Sequence, residues 1–339
     1  MIVTVTLNPA LDLTYAVDAL IPHGTHRVNA VTERPGGKGL NVAGVLHALG
    51  EPVLATGLLG GATGGRVAAL LAADSVPAAF LPIAGETRRT VAVTDRADAT
   101  GFWEPGPRIT AGEWAAFLAH FRELLDAAEV VTLCGSLPPG APIDGYAVLV
   151  RAAVERRVPT VLDTSGPALR YGLAAGPDLA KPNAAELSAL LASPIADPDQ
   201  PEVGNRAASR ALTGGGRLER AEGGARAAAE CRDLAGAARV RTCGARSVVV
   251  SRGPEGLLAL TGEGAWRGVP SERLTGNPTG AGDACVAALS RGLRDRTPWP
   301  ELVADAVALS AAAVAAPIAG AVDTDTYRRL LPAVHVSPA

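Results

Sequence analysis

The sequence predicts an α/β protein built around a mostly parallel β-sheet that helices cover on both faces. Short β-branched, apolar runs alternate along the chain with longer runs rich in alanine and leucine. The short runs are apolar at consecutive positions, which is typical of parallel strands buried on both faces. Strands are predicted at residues 2–7, 52–59, 129–135, 159–165 and 247–253.

The longer runs predict the helices, several of which lie between consecutive strands. In sheets of this kind, ligands bind beside the loops that leave the carboxyl ends of the strands. We therefore expect the functional residues in such loops and at the helix starts that follow them. Helices are predicted at residues 39–49, 65–73, 111–127, 143–156, 184–191, 225–236, 281–293 and 301–315.

Two segments depart from this alternation and predict a small separate sheet. Residues 13–34 and 87–109 contain short alternating runs and little helix, so they are expected to pair into a small β-sheet lid. A third segment, residues 197–224, mixes proline, glycine, arginine and alanine without an apolar period. It predicts a mobile surface insertion in a single domain of residues 1–339.

Composition and charge exclude several classes of protein. Hydrophobic residues make up 48% of the 339 residues, so a substantial core is available. The net charge of -3 and the lack of a Lys/Arg-rich run argue against a nucleic-acid partner. The chain begins directly with a strand pattern, and its most apolar helical run is broken by Pro317. We therefore expect no membrane span and a cytoplasmic location.

The stretch "NPTGAGDA" places one carboxylate, Asp283, among small residues ahead of a long apolar run. In one interpretation, Asp283 caps the helix that follows. In the other, Gly280, Ala281 and Gly282 present backbone N–H groups to an anion at the helix N-terminus. Asp283 would then be a base beside that anion. The stretch alone does not decide between the two.

A glycine-rich stretch near the N-terminus allows two interpretations as well. In "RPGGKGLNVA", glycines surround Lys38, and Asn41 opens a helix. The stretch is either a tight turn or a place where a polyol lies against bare backbone, with Lys38 and Asn41 supplying charge and hydrogen bonds. A Walker A loop is excluded because Gly, rather than Ser or Thr, follows Lys38.

Asp12 and an arginine pair are further candidates for binding a polyol. Asp12, in "LNPALDL", is either a turn residue or a carboxylate that accepts from two adjacent sugar hydroxyls. Arg88 and Arg89 are neighbours in an alternating strand, "ETRRTVAV". They should point to opposite faces, so that one faces a ligand and the other faces solvent.

Two later motifs indicate a second binding region. In "KPNAAEL", Asn183 and Glu186 share a helical face, which suits either a capping box or an outer-shell holder of hydrated Mg²⁺. In "VVVSRGPEG", Ser251, Gly253 and Gly256 follow a buried strand. They form either a Gly-Pro hairpin or a contact with phosphate or adenosine.

Together and in this order, the motifs resemble those of the ribokinase-type (PfkB) carbohydrate kinase family. The likeness is greatest to its phosphosugar branch, which includes 1-phosphofructokinase and tagatose-6-phosphate kinase. The resemblance covers nearly the whole chain and implies a ribokinase-like fold, ATP and Mg²⁺ as cofactors, and a homodimer formed through the lid. It rests on "TLNPALDLTY", "PGGKGLNVA", "GETRRTVAV", "CGSLPPG", "LDTSGPAL", "KPNAAEL", "VVVSRGPEG" and "NPTGAGDA".

The resemblance also implies a role for each candidate residue. Asp283 becomes the catalytic base, and the backbone of Gly280, Ala281 and Gly282 becomes an anion hole for the migrating phosphoryl group. Glu186 becomes linked to Mg²⁺ through water. The implied sugar site comprises Asp12, Gly37, Lys38, Asn41, Arg88 and Ser136. The implied nucleotide site comprises Lys181, Asn183, Ser251, Gly253 and Gly256.

The expected substrate is a ketohexose monophosphate, because Lys38 and Arg88 would neutralise a phosphate that the sugar already carries. Conversion of fructose 1-phosphate to fructose 1,6-bisphosphate is the leading reaction. Tagatose 6-phosphate and fructose 6-phosphate stay open, since single motifs are similar to those of their kinases. A catalytically inactive sugar-phosphate sensor is disfavoured by the intact Asp283. An oxidoreductase is disfavoured because no G-x-G-x-x-G follows the first strand.

Overall fold

The computed structural model describes residues 1–192, 219–316, 318 and 320–339. Most of the predicted insertion at 197–224 lies outside these residues. Its last part, residues 219–224, forms the beginning of a helix that runs from Glu219 to Thr242. Within the described ranges, every helix is too short or too polar to cross a lipid bilayer.

The strands form two sheets, one large and one small. In the large sheet the order is β14-β13-β12-β11-β10-β9-β8-β1-β4-β5, and in the small sheet it is β3-β2-β6-β7. In chain order the strands are β1 (Ile2–Thr6), β2 (Ala10–Ala16), β3 (Ala30–Gly36), β4 (Val53–Gly60), β5 (Ala78–Ile83), β6 (Arg88–Thr94), β7 (Ala99–Trp103), β8 (Val130–Cys134), β9 (Thr160–Asp163), β10 (Leu179–Ala180), β11 (Ser247–Ser251), β12 (Leu257–Leu260), β13 (Ala265–Val269) and β14 (His335–Pro338).

The large sheet confirms the predicted fold class. The pairs from β5 through β11 are parallel, and β12, β13 and β14 add antiparallel strands at one edge. Every predicted strand is present. Five of the described strands of this sheet were not predicted: β5, β10, β12, β13 and β14. β10 has 2 residues and β12 has 4, and β5, β13 and β14 have mainly exposed or half-buried positions. Most of these strands lack a long continuous apolar run of the kind that marks a buried parallel strand.

Helices cover both faces of the large sheet, as predicted. Two short ones were not predicted: α5 begins with a Gly-Pro pair typical of turns, and α10 is short and highly charged. The helices are α1 (Lys38–Ala48), α2 (Gly61–Ala73), α3 (Ala111–Leu124), α4 (Gly145–Glu155), α5 (Gly166–Ala174), α6 (Ala184–Ala192), α7 (Glu219–Thr242), α8 (Ala281–Asp295), α9 (Trp299–Ala315) and α10 (Thr324–Leu330).

Two hydrophobic clusters fill the space between the sheet and its helices. Alternate residues of β1 enter different clusters: Ile2 packs with α1, α8 and α9, whereas Val3 and Val5 pack with α3, α4 and α5. This follows from the two-residue period of a strand. The core therefore holds α1 and α8 side by side against β1 and β8.

The small sheet is built from the two segments predicted to pair, with slightly wider bounds. β2 begins at Ala10 and β3 ends at Gly36, beyond the predicted limits of 13 and 34. β2 and β6 are parallel, and the outer pairs are antiparallel. The register places Arg34, Asp12, Thr90 and Trp103 opposite one another in a row across the four strands. Since facing residues share a side of a sheet, this row belongs to one face.

Candidate active site

A cavity of about 580 Å³ lies between the small sheet and the carboxyl ends of β1, β8 and β9; we call it the central cavity. The connections to the small sheet leave β1 and return after β7, so the sheet stands over this edge. Side chains from both sheets and from α6 line it, as expected for ligand sites of parallel sheets. Among the predicted residues, the lining includes Asp12, Gly37, Lys38, Arg88, Ser136 and Glu186.

Asp283 lies in the first turn of α8 and does not cap it. Gly280 occupies the cap position with a φ of 92°, a left-handed conformation that glycine adopts without strain. The Asp283 side chain is buried, and its Oδ2 accepts a hydrogen bond of 2.8 Å from Asn41 Nδ2 on α1. The interpretation of Asp283 as a helix cap is therefore wrong.

The first turn of α8 points backbone N–H groups toward the same region. These groups have no partner within the helix, and the helix dipole adds partial positive charge there. One of the three predicted donors is already used, because Ala281 N donates to Pro278 O at 3.2 Å. The predicted anion hole is thus reduced to the amides beyond Ala281 and to Gly280.

A buried carboxylate that the sequence analysis did not single out, Asp163, joins two lysines beside Asp283. Asp163 ends β9 and is 1% exposed. Its Oδ1 lies 3.2 Å from Lys38 Nζ and 3.5 Å from Lys181 Nζ. Lys181 also reaches the start of α8, since a Cβ built on Gly282 would lie 3.8 Å from its Nζ. Asp163 therefore holds two ammonium groups next to the helix N-terminus.

Burial and neighbouring charge set the protonation of these groups. Burial, followed by the nearby Asp163 carboxylate, raises the pKa of Asp283 to about 6, against the hydrogen bond from Asn41 and the two lysines. Burial lowers the pKa of Lys38 and Lys181, but the Asp163 carboxylate and other acidic neighbours outweigh it and leave both pKa values above the ordinary one. Both lysines are thus charged at neutral pH, while Asp283 is poised to exchange a proton.

The face of the small sheet that meets the central cavity is polar around Asp12. Thr90 Oγ1 donates a hydrogen bond to Asp12 Oδ1, and Asp12 lies within β2, so the interpretation of Asp12 as a turn residue is wrong. A Cβ at Gly36 would come within 2.1 Å of the Asp12 carboxyl group, so a larger residue at this position would displace that carboxyl group. Burial raises the pKa of Asp12, against the hydrogen bond from Thr90 and the Arg88 charge.

Arg88 and Arg89 point to opposite faces, as predicted. Arg88 lines the central cavity, where its Nε donates to Asn8 O at 3.1 Å and its Nη1 to Glu104 O at 3.2 Å. Arg89 is exposed and pairs with the Glu104 carboxylate at 3.0 Å. The guanidinium of Arg88 is therefore the one directed at the central cavity, with N–H groups left over after its two carbonyl contacts.

A second cavity of about 500 Å³, which we call the side cavity, opens between α6, α7 and the end of β11. Asn183, Ser251 and Gly253 line it, as expected for one binding region. Lys181 does not; it is buried and turned toward Asp163. Gly256 has a hairpin role instead, because its φ is 83° and a Cβ there would meet Gly268 O at 2.0 Å.

Asn183 and Glu186 form the reciprocal capping pair that their spacing predicts. Asn183 N donates to Glu186 Oε2 at 2.9 Å, and Glu186 N donates to Asn183 Oδ1 at 2.8 Å. The remaining oxygen, Glu186 Oε1, lies 3.8 Å from Lys38 Nζ on the wall of the central cavity. Capping leaves this oxygen free to face a ligand, so both interpretations of Glu186 are compatible with the geometry.

The structure brings most of the predicted site residues to one edge of the large sheet, but some of them make contacts other than the predicted ones. Asn41 is directed at Asp283 rather than into the central cavity. Gly37 precedes α1 with a φ of 109°, which lets the chain turn from β3 into the helix. The residues that were missed, Asp163, Asn8 and Thr90, are buried or hydrogen-bonded polar residues in or beside strands. Asp163 was visible as a carboxylate at the end of a predicted strand, in "LDTSG".

Solved structures with similar folds include several kinases. Phosphofructokinase-2 from Escherichia coli in complex with fructose-6-phosphate is 29% identical, with a TM-score of 0.78 over 98% of each chain. A Thermotoga maritima protein named "Possible 1-phosphofructokinase" is 25% identical, with a TM-score of 0.79 over 100% of this chain and 99% of that one. Arabidopsis thaliana ribokinase, 19% identical with a TM-score of 0.70 over 97% and 98% of the two chains, shows a likeness of fold alone.

The model of the pfkB family carbohydrate kinases matches residues 5–215 and 223–325, which is most of the chain. The match includes β2 with Asp12, the end of β9 with Asp163, and the first turn of α8 with Asp283. The chain therefore belongs to the PfkB family of carbohydrate kinases and is an ATP-dependent sugar kinase with a ribokinase-like fold.

Proposed function

We propose that this kinase phosphorylates a ketohexose monophosphate, and that fructose 1-phosphate, converted to fructose 1,6-bisphosphate, is its leading substrate. The observation that carries the proposal is the buried Asp283 at the start of α8, with Lys38 and Lys181 beside it. Since ATP is the donor, we place the reaction in the cytoplasm. Membership of a kinase family leaves the oxidoreductase alternative without support.

In the proposed reaction, Asp283 removes the proton from the attacking sugar hydroxyl. The hydroxyl oxygen forms a bond to the γ-phosphorus of ATP as the bond to the β,γ-bridging oxygen breaks, and ADP leaves. Charge in the transition state is spread over the transferred phosphoryl oxygens. The N-terminus of α8 and the two lysines are fixed donors beside Asp283, so they stabilise that charge without having to reorganise.

A substrate that already carries a phosphate fits two cationic groups on the wall of the central cavity. The Arg88 guanidinium and the Lys38 ammonium lie on its wall, and Asp12 offers acceptors for hydroxyl groups. Arginine binds phosphate through paired, charge-assisted hydrogen bonds. Tagatose 6-phosphate remains an alternative, and fructose 6-phosphate is a second one, supported by the similar Escherichia coli enzyme that binds it.

The family implies Mg²⁺, and the acidic residues of this site fit a hydrated magnesium ion. Asp163 Oδ2 is buried and has no hydrogen-bond partner among the described residues, and Glu186 Oε1 faces the central cavity. Mg²⁺ keeps several waters and needs few carboxylates. We propose that Glu186 holds the ion through water with Asp163 nearby; when bound, the ion neutralises phosphate charge.

The Glu186→Gln substitution is expected to weaken Mg²⁺ binding, because it keeps the backbone contacts of the capping pair but removes the charge. The Mg²⁺ concentration that gives half-maximal rate should rise by roughly tenfold, the scale typical of a lost outer ligand partner. Direct titration with Mn²⁺, followed by electron paramagnetic resonance, gives a readout that does not depend on turnover. Unchanged Mn²⁺ affinity would contradict the role proposed for Glu186.

The acid side of the pH profile is expected to report Asp283. The base must be ionised to accept a proton, and its pKa is raised to about 6. We therefore expect kcat/KM for the sugar to fall by roughly tenfold per pH unit below about pH 6, with ATP saturating. A profile that stays flat down to about pH 5 would contradict this assignment.

We propose a homodimer that forms through the small sheet. Val31 and Phe102, on the face of this sheet opposite Asp12, are each 58% exposed. A half-apolar sheet face left in water is usually covered by another surface. Light scattering at micromolar concentration should give a dimer mass, whereas a fully active monomer would rule the proposal out.

The substrate assignment is tested by measuring ADP release with one sugar at a time. Fructose 1-phosphate, tagatose 6-phosphate, fructose 6-phosphate and plain fructose form the panel. We expect the highest kcat/KM with fructose 1-phosphate and the lowest with fructose. A preference for plain fructose would exclude the phosphosugar assignment. Binding of a phosphosugar without any ADP release would favour the inactive sensor.

A further inference from the structure

Asn8 is a buried polar residue at the centre of the site to which no role has yet been assigned. It lies between β1 and β2, on the connection that leaves the core for the small sheet. Asn8 is 5% exposed and contributes to the wall of the central cavity. Buried amide groups are held by specific hydrogen bonds, and the pattern of these bonds limits what their partners can do.

The orientation of the Asn8 amide follows from its partners. Asn8 Nδ2 donates to Pro105 O at 3.0 Å and to Ser136 Oγ at 3.1 Å. The reversed amide would place its oxygen against the carbonyl oxygen of Pro105, and two acceptors repel each other. The NH₂ group must therefore face both partners, and the Ser136 hydroxyl must accept.

This arrangement determines the direction of the hydrogen bonds that the Ser136 hydroxyl makes. A hydroxyl that accepts from an amide still has its own proton, which is directed away from that amide. Ser136 lines the central cavity, so the proton is available to an acceptor there. Arg88 is held by the backbone of the same residue, because its Nε donates to the carbonyl oxygen Asn8 O at 3.1 Å. Asn8 thus presents two donors, a hydroxyl and a guanidinium, to a ligand rich in oxygen.

Asn8 also joins two of the connections between the core and the small sheet. Pro105 and Gly106 belong to the segment that returns from β7 toward α3. Gly106 has a φ of 98°, and a Cβ there would lie 2.2 Å from Asn8 Oδ1. The returning chain therefore packs directly on the Asn8 amide, which ties it to the outgoing chain.

We propose that Asn8 is a positioning residue of the sugar site, which fixes Ser136 as a hydrogen-bond donor to the phosphorylated sugar. The inference rests on the proposed function, because it takes the central cavity as the sugar site. Asn8 does not touch the reacting atoms. Its removal should therefore weaken substrate binding and leave the chemical step largely intact.

A double-mutant cycle tests whether Asn8 acts through Ser136. We expect Asn8→Ala and Ser136→Ala each to raise KM for the phosphosugar by roughly tenfold, with kcat changed by less than about threefold. In the Ser136→Ala background, Asn8→Ala should raise KM by less than about twofold more, because residues that act as a unit are not additive. An equal increase in both backgrounds would overturn the proposal.

One further variant, and Ser136→Ala taken by itself, serve as controls for this result. Asn29→Ala removes another amide, one that donates to Asp18 on the surface of the small sheet, and it should leave kcat and KM within about twofold. Ser136 is exposed, so Ser136→Ala should fold even if Asn8→Ala does not; an unchanged KM in Ser136→Ala would overturn the proposal by itself. A wild-type protein that turns over no phosphosugar would overturn the proposed function instead.

Discussion

Replacing Asp283 with asparagine is expected to lower kcat by roughly 10²–10⁴-fold or more, the contribution that general-base catalysis typically makes. Asparagine keeps the size of the side chain and still accepts the hydrogen bond from Asn41, but it cannot take a proton. KM for the sugar should change much less than kcat, because the lost interaction matters mainly in the transition state. Steady-state kinetics of the variant, with ATP and sugar varied in turn, provide the measurement.

The same substitution is expected to make the protein more stable at neutral pH. In the folded state burial raises the pKa of Asp283 to about 6, so the folded state favours the protonated form. That contribution is present at low pH and is lost as the pH rises through about 6; above it, the ionised carboxylate costs stability. A neutral asparagine side chain avoids this cost, so we expect a gain on the order of 1–3 kcal/mol at pH 7.5 that vanishes near pH 4.

Asp325→Asn is a matched control for this prediction. Asp325 also lies in the first turn of a helix, α10, but it is exposed and pairs with Arg328. Its replacement should leave kcat unchanged and shift the melting temperature only slightly. If Asp283→Asn retains more than about a tenth of the wild-type kcat, the loss is smaller than removal of a general base should cause, and Asp283 is not the base.

Replacing Arg88 with alanine is expected to raise KM for the phosphosugar by roughly 10²-fold. One hydrogen bond to a charged group contributes about 1.5–3 kcal/mol, and Arg88 would make more than one to a phosphate. The effect on plain fructose should be small, because that sugar brings no phosphate. The preference for the phosphorylated sugar over fructose should therefore fall by nearly the same factor as KM rises, roughly 10²-fold.

Arg89→Ala provides the matched control for Arg88→Ala. The two arginines are adjacent in β6, but Arg89 is on the outer face and pairs with Glu104. Exposed ion pairs of this kind contribute little, so KM should stay within about threefold of wild type. Equal losses in the two variants would mean that Arg88 acts on the small sheet as a whole rather than on a phosphate.

The fold could be predicted from the sequence where burial leaves a continuous apolar run. β1, β8 and β11 are buried along almost their whole length, so their patterns are unambiguous. β5 and β14 belong to the same sheet, but most of their positions are exposed or half-buried and each contains proline, so neither shows a continuous buried apolar run. The small sheet could be predicted because its polar and apolar residues alternate.

The candidate site could be predicted only as a set of residues. Motif order placed Asp12, Lys38 and Asp283 in one family pattern, but no local pattern shows which side chains touch. The contact between Asn41 and Asp283 joins α1 to α8 across 242 positions of sequence. Asp163 was missed for the same reason: its importance comes from two lysines that are distant in sequence and meet only in the folded chain.

Identification of the sugar product tests the central claim most directly. The protein is incubated with ATP, Mg²⁺ and fructose 1-phosphate, and the sugar is then separated and identified by mass spectrometry while ADP is quantified. We expect a ketohexose bisphosphate to form in equal amount with ADP, and neither to form with the Asp283→Asn variant above trace levels. ADP without a bisphosphate, or a bisphosphate made at the wild-type rate by that variant, would contradict the account.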